Sequence, residues 1–223
     1  MEAEFGPARR PLVIEDLQRF YQIEHPPEPR PWVVMSMVAS VDGASTLDGV
    51  SGPLGNRTDQ QILRLARAAA DTILVGAQTV RTERYRPVRA PKRLLVISRH
   101  GDLGDLNDLK NADTTTIVRA VPPAADVDLA ELLRGLGGQV VVSEGGPSLN
   151  GQLLAAGLVD EVFLTISPRV LGGPSPRVAH HQLSAAQQPW ELRHVLHDEG
   201  YLFLRYRSRR SSSASVKSSA TSS

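Results

Sequence analysis

Short apolar segments, many of them rich in β-branched residues, alternate with segments of helical spacing along most of the chain. The first convincing strand is 32–41, and apolar residues then recur at helical spacing over 57–69, with Asn56 or Thr58 as a capping residue. Further strands are predicted at 71–75, 94–97, 114–118, 139–142 and 160–167, and further helices at 12–23, from 76, from 126 or 128 to 133, and from 147 to 157. This alternation predicts an α/β protein with a largely parallel sheet.

The two ends of the chain differ from this core. Residues 1–31 are predicted to be a leader, with one short helix followed by a stiff proline-rich connector. Residues 194–197 and 200–206 predict an antiparallel hairpin at one edge of the sheet. Residues 208–223 are rich in serine and basic residues and are predicted to be disordered. The interpretation is one domain spanning 32–207.

Composition narrows the possible functions. The formal net charge is +1, so no general basic field favours nucleic acid as a partner. The chain has no cysteine, which excludes disulfides, thiolate nucleophiles and cysteine-ligated metals. Its apolar runs are too short to cross a membrane, and the acidic start does not look like a signal peptide. We therefore expect a soluble cytoplasmic protein.

One stretch, 143–149, carries the clearest chemical signal. It follows a buried strand, contains the glycine pair Gly145 and Gly146, and continues into a helix that begins at Pro147. Free N–H groups at the start of such a helix favour a phosphate or another anion. Pattern alone leaves two interpretations open, an anion site and an ordinary strand-to-helix turn.

Commoner chemistries fit this chain poorly. The glycine spacing at 146–151 resembles a P-loop, but the lysine and the hydroxyl residue that should follow are missing. Asn150 replaces the second glycine of a nucleophile elbow, and the dinucleotide fingerprint of a standard Rossmann domain is absent. None of the six histidines has metal-ligand spacing, and His194 and His197 fall on opposite faces of a strand. We predict no metal site and interpret the histidines as surface or capping residues.

Seven segments, in order, resemble the reductase half of bacterial riboflavin-biosynthesis deaminase-reductases. They are 38–43, 51–52, 67–76, 79–80, 143–149, 157–161 and 168–173, and the resemblance spans about 32–206. It implies a three-layer fold like dihydrofolate reductase, a mostly parallel mixed sheet with a C-terminal antiparallel hairpin, and NADPH as cofactor. It also implies a homodimer that reduces the ribosyl group of a phosphoribosylamino-pyrimidine to a ribityl chain, with hydride transfer to C1′ of the opened sugar.

The resemblance also implies site residues. Ala39 would lie along the nicotinamide, and Arg99 would pair with a 2′-phosphate. Glu144 would accept hydrogen bonds from the pyrimidine, and the guanidinium groups of Arg67 and Arg89 would engage the phosphoribosyl end, with Arg57, Arg84 and Arg86 as rivals. The remaining implied residues are Leu54 for the substrate and Asn56, Thr79, Val80, Glu83, Ser98, Gly145, Gly146, Pro147, Ser148 and Leu149 for the cofactor.

Two features leave alternatives open. The family usually has a Trp-Ile-Thr run where this chain has 53–58, so the substrate could instead be dihydrofolate or another pterin or pyrimidine. A protein that binds NADPH without catalysis, as a sensor, is a third hypothesis. No general acid stands out from the sequence, and the proton could come from water. Asp42 is the candidate for orienting it, or it fixes its own turn.

Overall fold

The computed structural model describes residues 13–23, 30–119, 127–180 and 189–209. Its strands are β1 Trp32–Ser40, β2 Thr72–Gly76, β3 Arg93–Ser98, β4 Thr115–Arg119, β5 Val140–Ser143, β6 Glu161–Ser167, β7 Trp190–Asp198 and β8 Tyr201–Ser208. They form one eight-stranded sheet in the order β4-β3-β2-β5-β1-β6-β8-β7. The strands from β4 to β6 are parallel, whereas β8 is antiparallel to both β6 and β7.

Helices cover both faces of this sheet. They are α1 Ile14–Tyr21, α2 Arg57–Ala69, α3 Ala77–Thr82, α4 Asn107–Lys110, α5 Leu129–Arg134 and α6 Pro147–Ala155, with a 3-10 turn at Gly52–Leu54. One apolar cluster lies under α1 to α4, and a second lies under α5 and α6. The sheet is therefore the middle of three layers, because successive residues of each strand point to opposite clusters.

The predicted α/β architecture with a closing antiparallel hairpin is confirmed. Most strands lie within two residues of their predicted positions, but β7 begins at Trp190, four residues early, and β8 continues to Ser208. Neither α4 nor the 3-10 turn was predicted, because each is too short to show a periodic pattern. Residue 12 of the predicted leader helix, residues 24–29 with most of the proline-rich connector predicted at 26–31, and residues 210–223 of the tail lie outside the described residues.

The leader helix α1 is anchored to the far end of the chain. Leu17 and Tyr21 are buried in the first apolar cluster, and Arg205 of β8 donates a hydrogen bond to the carbonyl oxygen of Phe20 (2.8 Å). The same guanidinium pairs with the buried carboxylate of Glu161 at 2.8 and 2.9 Å. Burial raises the pKa of Glu161, while Arg205 opposes that rise. The leader is therefore part of the domain over its described helix.

His194 corrects one expectation from the sequence. It is partly buried, and its ring packs against Phe20 and Tyr21 with centroids 5.1 Å apart in both cases. Burial lowers the pKa of His194 to about 4, with smaller contributions from Arg205 and Arg193. His194 is thus a core residue and not a surface one. Its uncharged ring suits an apolar contact better than a protonated ring would.

Candidate active site

A cleft of about 1390 Å³ opens beside the carboxyl ends of the central parallel strands. In open parallel sheets this edge is where ligands bind, because strand ends and helix starts meet there. Its walls come from β1, from the turns that follow β2, β3 and β5, from α2, and from residues 81–92. The stretch 143–149 that stood out in the sequence forms part of one wall.

The turn between β5 and α6 lies directly against the turn between β2 and α3. The N–H of Gly76 donates to the carbonyl oxygen of Gly145 (2.6 Å), and the peptide bond joining Gly145 to Gly146 is cis. Gly145 has φ +80°, a conformation that favours glycine. A Cβ atom on Gly146 would lie 2.7 Å from the Thr79 hydroxyl oxygen. A side chain at 146 would therefore force Thr79 or the turn to shift.

The first turn of α6 faces the cleft. Pro147 occupies the first helical position, and Ser148 and Leu149 follow it in the cleft wall. Their N–H groups have no partner within the helix, as is general for a first turn. The N–H of Asn150 is not free, because it donates to the Gly146 carbonyl oxygen (3.0 Å). Two free amides, together with the helix dipole, form the potential anion seat.

Glu144, at the start of the same turn, is a buried residue that forms hydrogen bonds with the partly exposed Arg67 and Tyr85. Arg67 donates two hydrogen bonds to its carboxylate, from Nε to Oε1 and from Nη2 to Oε2, both 2.6 Å. The Tyr85 hydroxyl donates a third, to Oε2 at 2.5 Å, and the Tyr85 ring lies 5.6 Å from the Arg67 guanidinium carbon. The hydrogen bonds to Glu144 raise the pKa of Arg67. Burial, reinforced by Glu144, raises the pKa of Tyr85 well above its ordinary value, so Tyr85 stays a neutral donor.

The charges along the cleft favour an anionic ligand. Cations outnumber acids in its walls: the cations are Arg67, Arg81, Arg84, Arg86, Arg89, Lys92 and Arg99, and the acids are Asp59, Glu83, Asp102 and Glu144. Arg86, Arg89 and Arg99 are exposed. A concave surface lined by one sign of charge raises the local concentration of ligands of the opposite sign.

The structure brings most of the sequence-predicted site residues to this cleft. Its walls include Arg67, Thr79, Glu83, Arg89, Ser98, Arg99, Glu144, Gly146, Pro147, Ser148 and Leu149. Six predicted residues lie outside the cleft walls: Ala39, Asp42, Leu54, Asn56, Val80 and Gly145. Of these, Leu54 and Val80 are fully buried in the core.

Several predicted residues have clear local partners. Glu83 accepts a hydrogen bond from the Ser51 N–H (2.7 Å) and so ties the loop after β1 to α3. Ser98 accepts one from the Gly101 N–H (2.8 Å). Asn56 caps α2 by accepting one from the N–H of the third helical residue (3.0 Å).

Asp42 is exposed and organises two loops. It accepts hydrogen bonds from the Ser40 hydroxyl (2.5 Å) and from the N–H groups of Leu171 and Gly172 (3.2 and 2.7 Å). The Ser40 hydrogen bond, followed by those from the two amides, lowers the pKa of Asp42 to about 2. This carboxylate therefore joins the turn after β1 to the loop after β6.

Tyr85 and Asp59 also line the cleft, and neither was identified from the sequence as a site residue. Tyr85 gives no sequence signal, because its partner Glu144 lies 59 positions away. Asp59 lies three residues after the Asn56 cap and so looks like an ordinary acid in a first helical turn. In the structure Asp59 lines the cleft, and burial raises its pKa despite a hydrogen bond from the Thr165 hydroxyl.

Two searches of the described residues bear on the other function classes. No group of three or more histidines and acids in that part of the chain is arranged to hold a metal ion. None of the helices described there is both long and apolar enough to cross a membrane.

Comparison with known proteins identifies the fold and the family. A dihydrofolate reductase from Enterococcus faecalis, solved with NADP(H), superposes with a TM-score of 0.56 over 79% of this chain and 96% of its own, at 15% identity. A pyrimidine reductase-like protein from Corynebacterium diphtheriae superposes with a TM-score of 0.66 over 80% of this chain and 92% of its own, at 24% identity. An Aquifex aeolicus 2,5-diamino-6-ribosylamino-4(3H)-pyrimidinone 5′-phosphate reductase is 29% identical over 179 residues, which are 65% of this chain and 80% of that protein.

The two solved structures show a dihydrofolate-reductase-like fold, and the relatives that are named as reductases support an oxidoreductase. Within that class the assignment is specific, since the model of the RibD C-terminal domain matches residues 31–202. The chain belongs to the RibD C-terminal domain family. The resemblance noted in the sequence is thereby confirmed.

Proposed function

We propose that this protein is an NADPH-dependent reductase that converts a phosphoribosylamino-pyrimidine to its ribitylamino form in riboflavin biosynthesis. The observation that carries the proposal is the turn after β5. It presents the free amides of α6 and the buried carboxylate of Glu144 to the same cleft. One wall thus offers a seat for an anionic group and an acceptor for N–H groups.

The cleft fits a phosphorylated dinucleotide. Its volume is large enough for a ligand with several phosphates, and the amides of Ser148 and Leu149 would hold the pyrophosphate. Arg99, exposed at the end of β3, would pair with a 2′-phosphate and so favour NADPH over NADH. When bound, NADPH would supply the hydride that the sugar carbon C1′ gains. The protein orients the reactants and stabilises their charges.

The substrate would occupy the part of the cleft around Glu144. That carboxylate would accept a hydrogen bond from the pyrimidine ring, and Arg89 would engage the phosphoribosyl group. Arg67 already holds Glu144 through two hydrogen bonds. The same guanidinium would therefore orient the carboxylate and place a positive charge beside the substrate.

The name of the Aquifex aeolicus relative supports a pyrimidine nucleotide as substrate. The test is to mix the purified protein and NADPH with the uracil form of the phosphoribosylamino-pyrimidine, with its 2,5-diamino form, or with dihydrofolate, and to follow the absorbance of NADPH. We expect oxidation with one of the two pyrimidines and none with dihydrofolate. The proposal is overturned if neither pyrimidine is reduced.

We also propose that the protein works as a homodimer. Support comes from an apolar surface on one face of the sheet, formed by β6, β7 and β8. It contains Leu164, Leu204 and Tyr206, which are partly exposed, and Leu192, which is 45% exposed. Light scattering should give twice the monomer mass. Leu204→Asp should give a monomer, because it places a charge in the middle of that apolar surface. A monomeric wild-type protein would contradict the proposal.

A further inference from the structure

Reduction at C1′ needs a proton as well as a hydride, and the cleft contains four carboxylates that could supply it. Three of them have other roles. Glu144 is held by Arg67 and Tyr85, and Glu83 accepts the Ser51 N–H. Asp102 is exposed, and its carboxylate accepts the N–H of Gly104. Asp59 is the remaining candidate among these four.

The environment of Asp59 favours the protonated form of its carboxyl group more than solvent would. It lies in the first turn of α2, partly buried, with the buried hydroxyl of Thr165 from β6 as its hydrogen-bond donor. Gly55 passes so close that a Cβ atom there would overlap the Asp59 carboxyl oxygen. The missing side chain at Gly55 therefore leaves room for the Asp59 carboxyl group, and both residues line the cleft.

The plainer explanation for Asp59 is a role in helix stability. An acid in a first helical turn interacts favourably with the helix dipole, which lowers its pKa by stabilising the charged form. The pKa of Asp59 is instead raised, because burial disfavours the charged carboxylate. A carboxylate placed only to stabilise the helix would be better left in solvent, as Glu131 is in α5.

We propose that Asp59 is the proton donor for the reduction, an inference that rests on the proposed function. In the opened sugar, a double bond joins C1′ to the nitrogen of the pyrimidine substituent. C1′ gains a hydrogen with two electrons from the nicotinamide cofactor, and the π electrons of the double bond move to the nitrogen. The nitrogen takes its proton from the Asp59 carboxyl group, which regains one from water. One NADPH and one proton are thus consumed for each C–N double bond reduced.

The groups that face Asp59 should let it titrate as a single carboxyl group. Thr165 of β6 donates a hydrogen bond, and Tyr21 of α1 is close enough for the Asp59 charge to raise its pKa. Asp198 of β7 is engaged by the hydroxyl of Thr58, the residue before Asp59 (2.8 Å). Tyr21 is neutral over the range in which Asp59 titrates, because its own pKa is raised further by burial. The pH dependence should therefore follow one carboxyl group.

The first test needs no bound cofactor. Carboxyl carbons of aspartate are labelled with carbon-13 in the free protein, and the Asp59 signal is identified by its loss in Asp59→Asn. We expect this signal to titrate clearly above about 3.9, the ordinary value for aspartate. Titration at or below that value would overturn the proposal.

The second test measures single turnovers with NADPH and whichever of the two phosphoribosylamino-pyrimidines the protein reduces. The wild-type rate should fall as pH rises through the pKa of Asp59, because only the protonated form donates. Asp59→Asn should lower the rate about 100-fold and remove this dependence, while leaving substrate affinity within a factor of about three. Equal rates and equal pH profiles in wild type and variant would refute the role of Asp59.

Two further variants separate catalysis from folding. Glu131 is the third residue of α5, as Asp59 is of α2, and its backbone N–H likewise donates to the side chain of the capping residue (2.9 Å). Glu131→Gln therefore removes an acid from a matched position, and this variant should leave the rate unchanged. Thr165→Val removes the hydrogen bond to the ionised carboxyl group, and it should move both the carbon-13 titration and the rate profile upward by about one pH unit. If the titration moves and the rate profile does not, Asp59 is not the donor. If wild type turns over neither pyrimidine, the proposed function itself fails.

Discussion

Arg67 and Glu144 meet in a paired geometry across the cleft, with Nε to Oε1 and Nη2 to Oε2 both at 2.6 Å. Arg67 comes from the last turn of α2, and Glu144 directly follows β5. The Glu144 side chain is 4% exposed and that of Arg67 is 42% exposed. The carboxylate thus depends on the arginine for its charge balance, whereas the arginine also reaches solvent.

Replacing Glu144 tests this relationship. Glu144→Gln keeps the shape but removes the charge, so it should cost about 1–3 kcal/mol of unfolding free energy. It should also raise KM for the pyrimidine about 10-fold to 100-fold, since a charge-assisted contact is lost. Urea unfolding and steady-state kinetics measure the two effects.

A matched control comes from the exposed pair formed by Arg193 and Glu191, also 2.6 Å apart. Glu191→Gln should cost about 0–1 kcal/mol, because solvent screens such pairs. If the two glutamine variants lose the same unfolding free energy, the Arg67–Glu144 pair stabilises the protein no more than an exposed pair does.

The Tyr85 hydroxyl contributes to the same network and can be removed alone. Tyr85→Phe keeps the ring beside Arg67 but deletes the donor to Oε2 of Glu144. We expect a loss of about 1.5–3 kcal/mol in unfolding free energy, the usual range for a hydrogen bond to a charged group. In the Glu144→Gln background the same change should cost clearly less, because its charged acceptor is gone. Additive losses in the double variant would show that the hydroxyl and the carboxylate act independently.

Gly146 should be intolerant of a side chain even without any ligand. Gly146→Ala places a methyl group 2.7 Å from the Thr79 hydroxyl oxygen, so it should destabilise the protein by about 1–3 kcal/mol. Adding Thr79→Ala should restore part of this loss, because the clashing oxygen is removed. Thermal unfolding of the two single variants and the double variant gives the coupling.

Gly135→Ala serves as the control for Gly146, since its Cβ would come no closer than 3.4 Å to a neighbouring atom. A double variant no more stable than Gly146→Ala alone would argue against the contact with Thr79. A change in NADPH affinity in Gly146→Ala would therefore reflect altered packing against Thr79 as well as altered phosphate binding.

His194 should make the protein less stable in mild acid. Its pKa is lowered to about 4 in the folded state, against about 6.5 when unfolded. As pH falls from about 6.5 to about 4, the unfolded chain binds a proton that the folded chain does not, so stability drops by at most about 3 kcal/mol. Above about 6.5 this contribution to the pH dependence vanishes.

His194→Phe isolates that contribution, because it keeps an aromatic ring against Phe20 and Tyr21. Urea midpoints measured from pH 4 to pH 7 should fall less steeply in the variant than in wild type. Carboxylates titrate in the same interval, so the difference between the two proteins is the quantity to examine. Parallel curves would show that His194 does not titrate with folding.

The strands were predictable because their apolar, β-branched residues fill both faces of a buried sheet, as 140–142 do. The turn at 145–147 was equally visible, since glycine and proline mark it in the sequence. The network around Glu144 was not predictable by spacing, because its members are 59 and 77 positions away. Asp59 was hidden for another reason: its position in a first helical turn offers an ordinary explanation, and only burial distinguishes it.

The order of strands in the sheet links the centre of the fold to the ligand site. β1 and β2 are neighbours in sequence, yet β5 lies between them and pairs with both. β1 and β2 are therefore joined only through a strand that comes later in the chain than β3 and β4. Glu144 and the glycine turn directly follow that strand. The strand that completes the centre of the sheet is thus also the one that carries the ligand site.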